Sequence, residues 1–278
     1  MSISAKTFPI WGFFSLVTNG LLMLAVILLI WQQQRFTNNV DETTAVTVSD
    51  TQTDKPELGP RHQLNYQQWV DILKKEAKAT VEKPPQHLSI LVGDSLSLWF
   101  PPELLPEDRN WLNQAISGET SEGILNRLHL FDRTQPEVIY LMVGINDLLR
   151  GLSDETILEN QRQIIRYLRK VHPRSQIFVQ SILPHGAEES TWEGREELLK
   201  IKNNRIQQLN QKLQTIATNQ GAKYLDLYTL FTNQQGNLHR EFTTDGLHLS
   251  PQGYLVWRTA LQISTQQALE HHQAKVGR

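Results

Sequence analysis

From residue 88 onward, short apolar runs alternate with longer stretches in which apolar residues recur every three or four positions. The runs LSILVGD (88–94), EVIYLMVG (137–144), QIFVQSIL (176–183) and AKYLDL (222–227) have the length and continuity of buried strands. A further strand over Trp111–Ala115 is only weakly marked. Between these runs, SEGILNRLHLF (121–131) has helical spacing. The stretch 153–173 opens on a Ser153 cap and carries Ile157, Leu158, Ile164, Ile165 and Leu168 at helical spacing. The stretch 196–221 reads as one long amphipathic helix ending at Gly221, and 251–269 as a final helix with Pro251 early in it. Strands that are apolar on both faces, alternating with helices, predict an α/β fold with a parallel sheet covered on both sides. No internal repeat is visible.

Ahead of this region, Trp69, Ile72, Leu73 and Ala77 predict a helix over 66–82, stopped by Pro84 and Pro85. Residues 32 to about 60 are polar, rich in Gln, Thr, Asn and Asp, and read as a flexible tether. Earlier still, residues 11–31 (WGFFSLVTNGLLMLAVILLIW) carry no charge and are bracketed by Trp11 and Trp31. As a helix this run spans roughly 31 Å, close to the hydrocarbon thickness of a bilayer. A signal peptide has a shorter apolar region and a small-residue cleavage site, whereas Leu29, Ile30 and Trp31 lead straight into three glutamines. The expectation is therefore an uncleaved transmembrane helix. Lys6 and Arg35 balance each other across it, and the terminal amine tips the orientation to N-inside. The expected protein is a single-pass membrane protein with its C-terminal domain extracytoplasmic, either periplasmic or extracellular. The resulting segments are a tail (1–10), an anchor (11–31), a linker (32–65), a helical lead-in (66–85), a catalytic domain (86–270) and a C-terminal tail (271–278).

Composition removes several alternatives. A net charge of -2 gives no field to attract nucleic acid. The absence of cysteine excludes disulfides, thiolate catalysis and Cys-based zinc sites, but does not fix the compartment. No His-Glu-x-x-His metal helix and no phosphate-cradling glycine loop occurs, and His271-His272 lie in a polar tail.

Sites in open parallel sheets lie at the carboxyl ends of strands, which gives a test for candidate chemistry. Gly93-Asp94-Ser95 directly follows the first strand. A serine hydroxyl becomes a nucleophile only when a base takes its proton; alone, the triplet is equally an ordinary strand-to-helix turn. Asp245-Gly246-Leu247-His248 supplies a base, with the carboxylate close enough to fix the imidazole tautomer. Alone, it is equally a surface loop before the last helix. Asn146, in Gly144-Ile145-Asn146-Asp147, follows another strand and could donate its amide to an oxyanion, or cap a turn. Gly118 could bring a backbone N–H to the same point, or be a plain loop glycine. Ser95 and Asn146 both pass the strand test, and the Asp-His pair falls just before the last helix.

The motifs, in order, resemble those of the SGNH/GDSL hydrolase superfamily. ILVGDSLS is similar to its first block, and VGINDLL to its third. ISGETSEGILNRL resembles the second block, in the branch of lysophospholipase/thioesterase-like and acetylhydrolase-like esterases; TTDGLHLSPQGYLVW resembles the last. The match covers residues 88–266, leaving out the anchor, the tether and the 66–82 helix. The resemblance implies a flavodoxin-like α/β/α sandwich of about five parallel strands. It implies Ser95 as nucleophile, His248 as general base and then acid, and Asp245 as its orienter. It places the oxyanion between the Ser95 and Gly118 amides and the Asn146 side chain, and gives Asp94 and Asp147 structural roles. No metal and no organic cofactor is implied. The Gly-x-Ser-x-Gly elbow of the α/β-hydrolases is absent at Ser95. The expected activity is hydrolysis of carboxylic esters, with a small-molecule, lipid or glycan ester as substrate. Acyl or acetyl transfer to, or deacetylation of, an exported glycan is the alternative, and a non-catalytic binding module a third reading. The segment 184–199 is expected to form a loop beside the site, where Trp192 could line the pocket.

Overall fold

A computed structural model describes residues 64–276, with side chains described to residue 267. The anchor at 11–31, the tail before it and the His271-His272 side chains lie outside the described residues. Among the described residues no helix is long and apolar enough to cross a membrane.

Five parallel strands form one sheet: β1 (Leu88–Gly93), β2 (Asn110–Ala115), β3 (Val138–Met142), β4 (Gln176–Gln180) and β5 (Lys223–Leu225). Their order is β2-β1-β3-β4-β5, so the chain winds one way from β1 and then reverses. The strand order changes direction at β1, where a doubly wound sheet opens its crevice. Register levels the top of the sheet: Gly93 pairs with Ala115 on one side and Met142 on the other. The loops leaving β1, β2 and β3 therefore start side by side.

The helices are α1 (Tyr66–Glu82), α2 (Ser95–Leu98), α3 (Ser121–Arg127), α4 (Ile145–Leu149), α5 (Asp154–Val171), α6 (Arg195–Leu199), α7 (Asn203–Asn219), α8 (Tyr228–Phe231) and α9 (Pro251–Val276). Alternation along the strands sends side chains to two cores. Ile90, Val92, Ile139, Leu141, Ile177 and Val179 pack with Ile164, Ile165 and Leu168 of α5 and Leu213 of α7. Leu91, Tyr140, Met142 and Phe178 pack with Tyr254, Trp257 and Leu261 of α9. The two faces of the sheet are thus covered by different helices, giving an α/β sandwich.

Helix α1 belongs to this packing. Asn65 and Gln68 form a reciprocal capping box, with Gln68 N donating to Asn65 Oδ1 at 2.9 Å and Asn65 N to Gln68 Oε1 at 2.8 Å. Its Trp69 and Leu73 bury against Ile116, just beyond β2.

The structure departs from the sequence pattern in two places. The single helix expected over 196–221 is two, broken at Lys200–Lys202. Lys202 is extended, with φ -81° and ψ 135°. The break is fixed from outside: the Ile201 carbonyl contacts His185 Nε2 at 2.5 Å, and the Asn203 side chain bonds the backbone of His185 at both N and O, each at 2.9 Å. Strand β2 carried a weak signal because its first residues lie at the sheet edge, Asn110 exposed and Trp111 half-buried. Its Gln114 is nonetheless buried and donates to the Leu73 carbonyl of α1 at 3.2 Å.

Candidate active site

Ser95 is the first residue of α2, immediately after β1, and is 7% exposed. Asp94 caps this short helix, accepting the Leu96 amide on Oδ1 at 3.0 Å. The Ser95 amide, at the first helical position, has no partner within the helix. The Tyr254 hydroxyl donates to the Leu96 carbonyl at 3.0 Å and ties the turn to α9.

Asp245 and His248 sit on the loop leading into α9. His248 Nδ1 lies 2.8 Å from Asp245 Oδ2. Asp245 Oδ1 accepts the amides of Leu247 at 2.9 Å and His248 at 2.7 Å. Burial raises the Asp245 pKa, but the His248 bond and these amides outweigh it, and the carboxyl is held below the usual range. The carboxylate therefore occupies Nδ1 and leaves Nε2 for another partner. The loop is clamped by the segment after β4: Thr191 N, Trp192 N and Ser190 Oγ donate to the Asp245 carbonyl at 2.8, 2.9 and 2.9 Å. Gly186 N donates to the Gly246 carbonyl at 2.7 Å. Gly246 has φ +91°, and a Cβ there would fall 2.6 Å from Ser190 Cα. The segment expected to be a loop at 184–199 thus holds the Asp-His turn, and it includes a 3-10 turn at Ala187–Glu189 and helix α6. Trp192 packs against a cluster containing Ile145 and Leu247.

Gly118 lies in a turn closed by Glu119 N donating to the Ile116 carbonyl at 3.2 Å. Its φ of +73° at the third turn position is a conformation that suits glycine. The Arg150 guanidinium donates to the Gly118 carbonyl at 2.8 Å, and Asn146 Nδ2 donates to the Glu119 carbonyl at 3.1 Å. An amide has two N–H bonds, so Asn146 keeps a second donor. Ser95, Gly118 and Asn146 thus follow three adjacent strands, and the last two are tied into one loop pair.

A buried polar layer supports these loops. Arg127 Nε lies 2.6 Å from Glu119 Oε2, with both side chains 4% exposed, and Arg127 also donates to the Gln114 carbonyl at 2.8 Å. Asp147 accepts the Ser121 amide at 3.0 Å and its hydroxyl at 2.5 Å, while Asn160 donates to that hydroxyl at 3.0 Å. Burial raises the Asp147 pKa. Burial pushes Asp94 further, to about 7, although the nearby His248 charge and the Leu96 amide pull the other way. No hydrogen bond joins Ser95 Oγ to His248 among the described residues; such contacts are often open before substrate binds. A cavity of only about 10 Å³ lies among Asp94, Leu96, Ile145 and Leu247. No cluster able to hold a metal ion occurs among the described residues.

The sequence reading missed the supports: the Ser190–Trp192 clamp, the Arg150 bond to Gly118 and the Glu119–Arg127 pair. The motif ISGETSEGILNRL contains both members of that pair, eight residues apart across a turn, but nothing in the spacing marks them as paired.

Ser95 at the top of β1 and the Asp245–His248 pair on the loop before α9 are thus the candidate site on a doubly wound sheet. The model of the GDSL-like Lipase/Acylhydrolase family matches residues 89–256, and the chain belongs to that family. An arylesterase of Vibrio mimicus is 32% identical over 95 residues, 29% of this chain and 48% of that protein. The match thus spans about half the length of that relative. Among solved structures, a Streptococcus pneumonia protein provisionally described as a platelet activating factor superposes with TM-score 0.64 at 25% identity, covering 71% of this chain and 93% of that one. A GDSL-like lipase from Bacteroides thetaiotaomicron superposes with TM-score 0.59 at 16% identity, covering 72% and 99%; at that identity the likeness concerns the fold alone.

Proposed function

We propose that this chain is a serine esterase that cleaves carboxylic esters through Ser95, His248 and Asp245. The observation that carries the reading is the Asp245–His248 bond of 2.8 Å, which fixes Nδ1 and leaves Nε2 as the base. Ser95 Oγ attacks the ester carbonyl carbon, and His248 Nε2 takes its proton. The carbonyl oxygen becomes an oxyanion, received by the Ser95 and Gly118 amides and the second N–H of Asn146. Collapse breaks the bond to the alcohol oxygen, which leaves with the proton from His248. Water then attacks the acyl-enzyme carbonyl, His248 takes a proton from it, and the acid departs as Ser95 Oγ is reprotonated. Each oxyanion donor in such sites contributes roughly 2.7–4 kcal/mol.

The uncharged run at 11–31 supports a single-pass anchor, with the esterase domain outside the cytoplasm. Hydrolysis of p-nitrophenyl acetate by the Ser95→Ala variant tests the catalytic reading. Loss of turnover to near the uncatalysed rate is expected; undiminished turnover contradicts it.

A further inference from the structure

We propose that the groove opening from Gly118 toward Tyr66 is the alcohol subsite, and that it takes an uncharged, hydroxyl-rich alcohol such as a sugar. This rests on the esterase reading and specifies its substrate class. The groove has a volume of about 430 Å³ and is lined by Tyr66, Ser117, Gly118, Glu122, Asn126 and Arg150, with Glu119 at its base. That volume is within the range of ligand sites, roughly 300–1,000 Å³. The cavity among Asp94, Leu96, Ile145 and Leu247 offers about 10 Å³, too little for a sugar, whereas the groove at Gly118 has room for one. The groove meets the site at Gly118, which the esterase reading makes an oxyanion donor.

The lining decides the chemistry. Ser117, Glu122, Asn126 and Arg150 are all exposed, and together they offer both donors and acceptors. Charge balances: Glu119 is committed to Arg127 at 2.6 Å, and the groove lining carries both Arg150 and Glu122. Arg150 also spends one bond on the Gly118 carbonyl at 2.8 Å. A phosphate would find one cation, already engaged and offset by a carboxylate. A polyol finds alternating donors and acceptors, with one aromatic wall. That wall is Tyr66, 49% exposed, its hydroxyl 3.4 Å from Glu119 Oε2. An aromatic ring with a polar tip offers an apolar face and a hydrogen bond to the same ligand.

Tyr66 comes from α1, outside the family-matched segment 89–256. Trp69 and Leu73 seat that helix on Ile116, the residue before Ser117-Gly118. The wall of the groove is therefore built by chain that the family model does not include, which makes it a place for specificity particular to this protein.

The test measures kcat/KM of the full-length chain for 6-O-acetylglucose, 1-acetylglycerol 3-phosphate and p-nitrophenyl acetate, with Tyr66→Ala and Asn126→Ala variants. Both substituted residues are exposed, and circular dichroism of each variant checks that the fold is kept. The wild type should prefer acetylglucose to the phosphate ester. Either variant should lower the ratio of acetylglucose to p-nitrophenyl acetate efficiency by about three- to tenfold, the scale of one aromatic or hydrogen-bonding contact. Preference for the phosphate ester, or an unchanged ratio in both variants, overturns the assignment. Failure of the esterase reading looks different: Ser95→Ala would then keep its activity on every substrate.

Discussion

His248 Nδ1 and Asp245 Oδ2 lie 2.8 Å apart, and the other oxygen of the same carboxylate accepts two backbone amides of its own loop. One side chain thus shapes the loop and sets the tautomer. Asp245→Asn preserves an acceptor for the amides but offers an N–H or a neutral oxygen to the imidazole. It should lower kcat by about 10⁴-fold with the fold intact, as expected when the wrong tautomer is held. Steady-state kinetics with a circular dichroism control checks this. A loss below tenfold would contradict the role given to Asp245.

Gly246, one residue on, is pressed against Ser190. With φ at +91° and Ser190 Cα 2.6 Å from any added Cβ, alanine is both strained and obstructed. The left-handed backbone alone costs about 1–3 kcal/mol. Gly246→Ala should therefore lower the melting temperature and push the Ser190–Trp192 clamp off the Asp245 carbonyl, reducing kcat as well. Thermal unfolding and kinetics of the same preparation read both effects; an unchanged kcat would show that the clamp does not position the pair.

The sheet was legible in the sequence because its central strands are buried on both sides and appear as unbroken apolar runs, LSILVG and VIYLM above all. Edge strand β2 was faint because it carries Asn110, Asn113 and Gln114, whose side-chain amides donate to partners distant in sequence: the Gln86 carbonyl, the Ser97 carbonyl and the Leu73 carbonyl. The Asp245–His248 contact was legible because it is local, three residues within one turn. The break at Lys200–Lys202 was not, since helical spacing continues through it and only His185, far away in sequence, interrupts it. The clamp on Asp245 was hidden for a similar reason: apart from the Ser190 hydroxyl it uses backbone groups, which leave no residue signature.

Asp94 is buried beside Ser95, and burial lifts its pKa from the ordinary 3.8 to about 7. A folded-state pKa above the unfolded value means that stability from this group is fully present below about pH 3.8 and is lost as pH rises through about 7. Asp94→Asn keeps the cap on the Leu96 amide but cannot ionise. The melting temperature of the variant relative to wild type should therefore rise between pH 5 and pH 8. A constant offset over that range would show that Asp94 ionises without cost.

Arg127 and Glu119 form an ion pair with both side chains 4% exposed, directly beneath the Gly118 turn. Removing one partner leaves a buried charge uncompensated, a loss of about 3–5 kcal/mol. Arg127→Met should destabilise the protein on that scale in denaturant unfolding, and adding Glu119→Gln should recover part of it. Equal stability of the single and double variants would mean that the charge of Glu119 is not what the pair neutralises.

The central claim is that Ser95 is a nucleophile activated by His248. Labelling of the full-length protein with a fluorophosphonate, followed by mass spectrometry of its peptides, measures this directly. The expected result is one adduct, on the peptide containing Ser95, abolished in Ser95→Ala and strongly slowed in His248→Ala. No adduct at Ser95, or labelling that persists unchanged in both variants, would contradict the account.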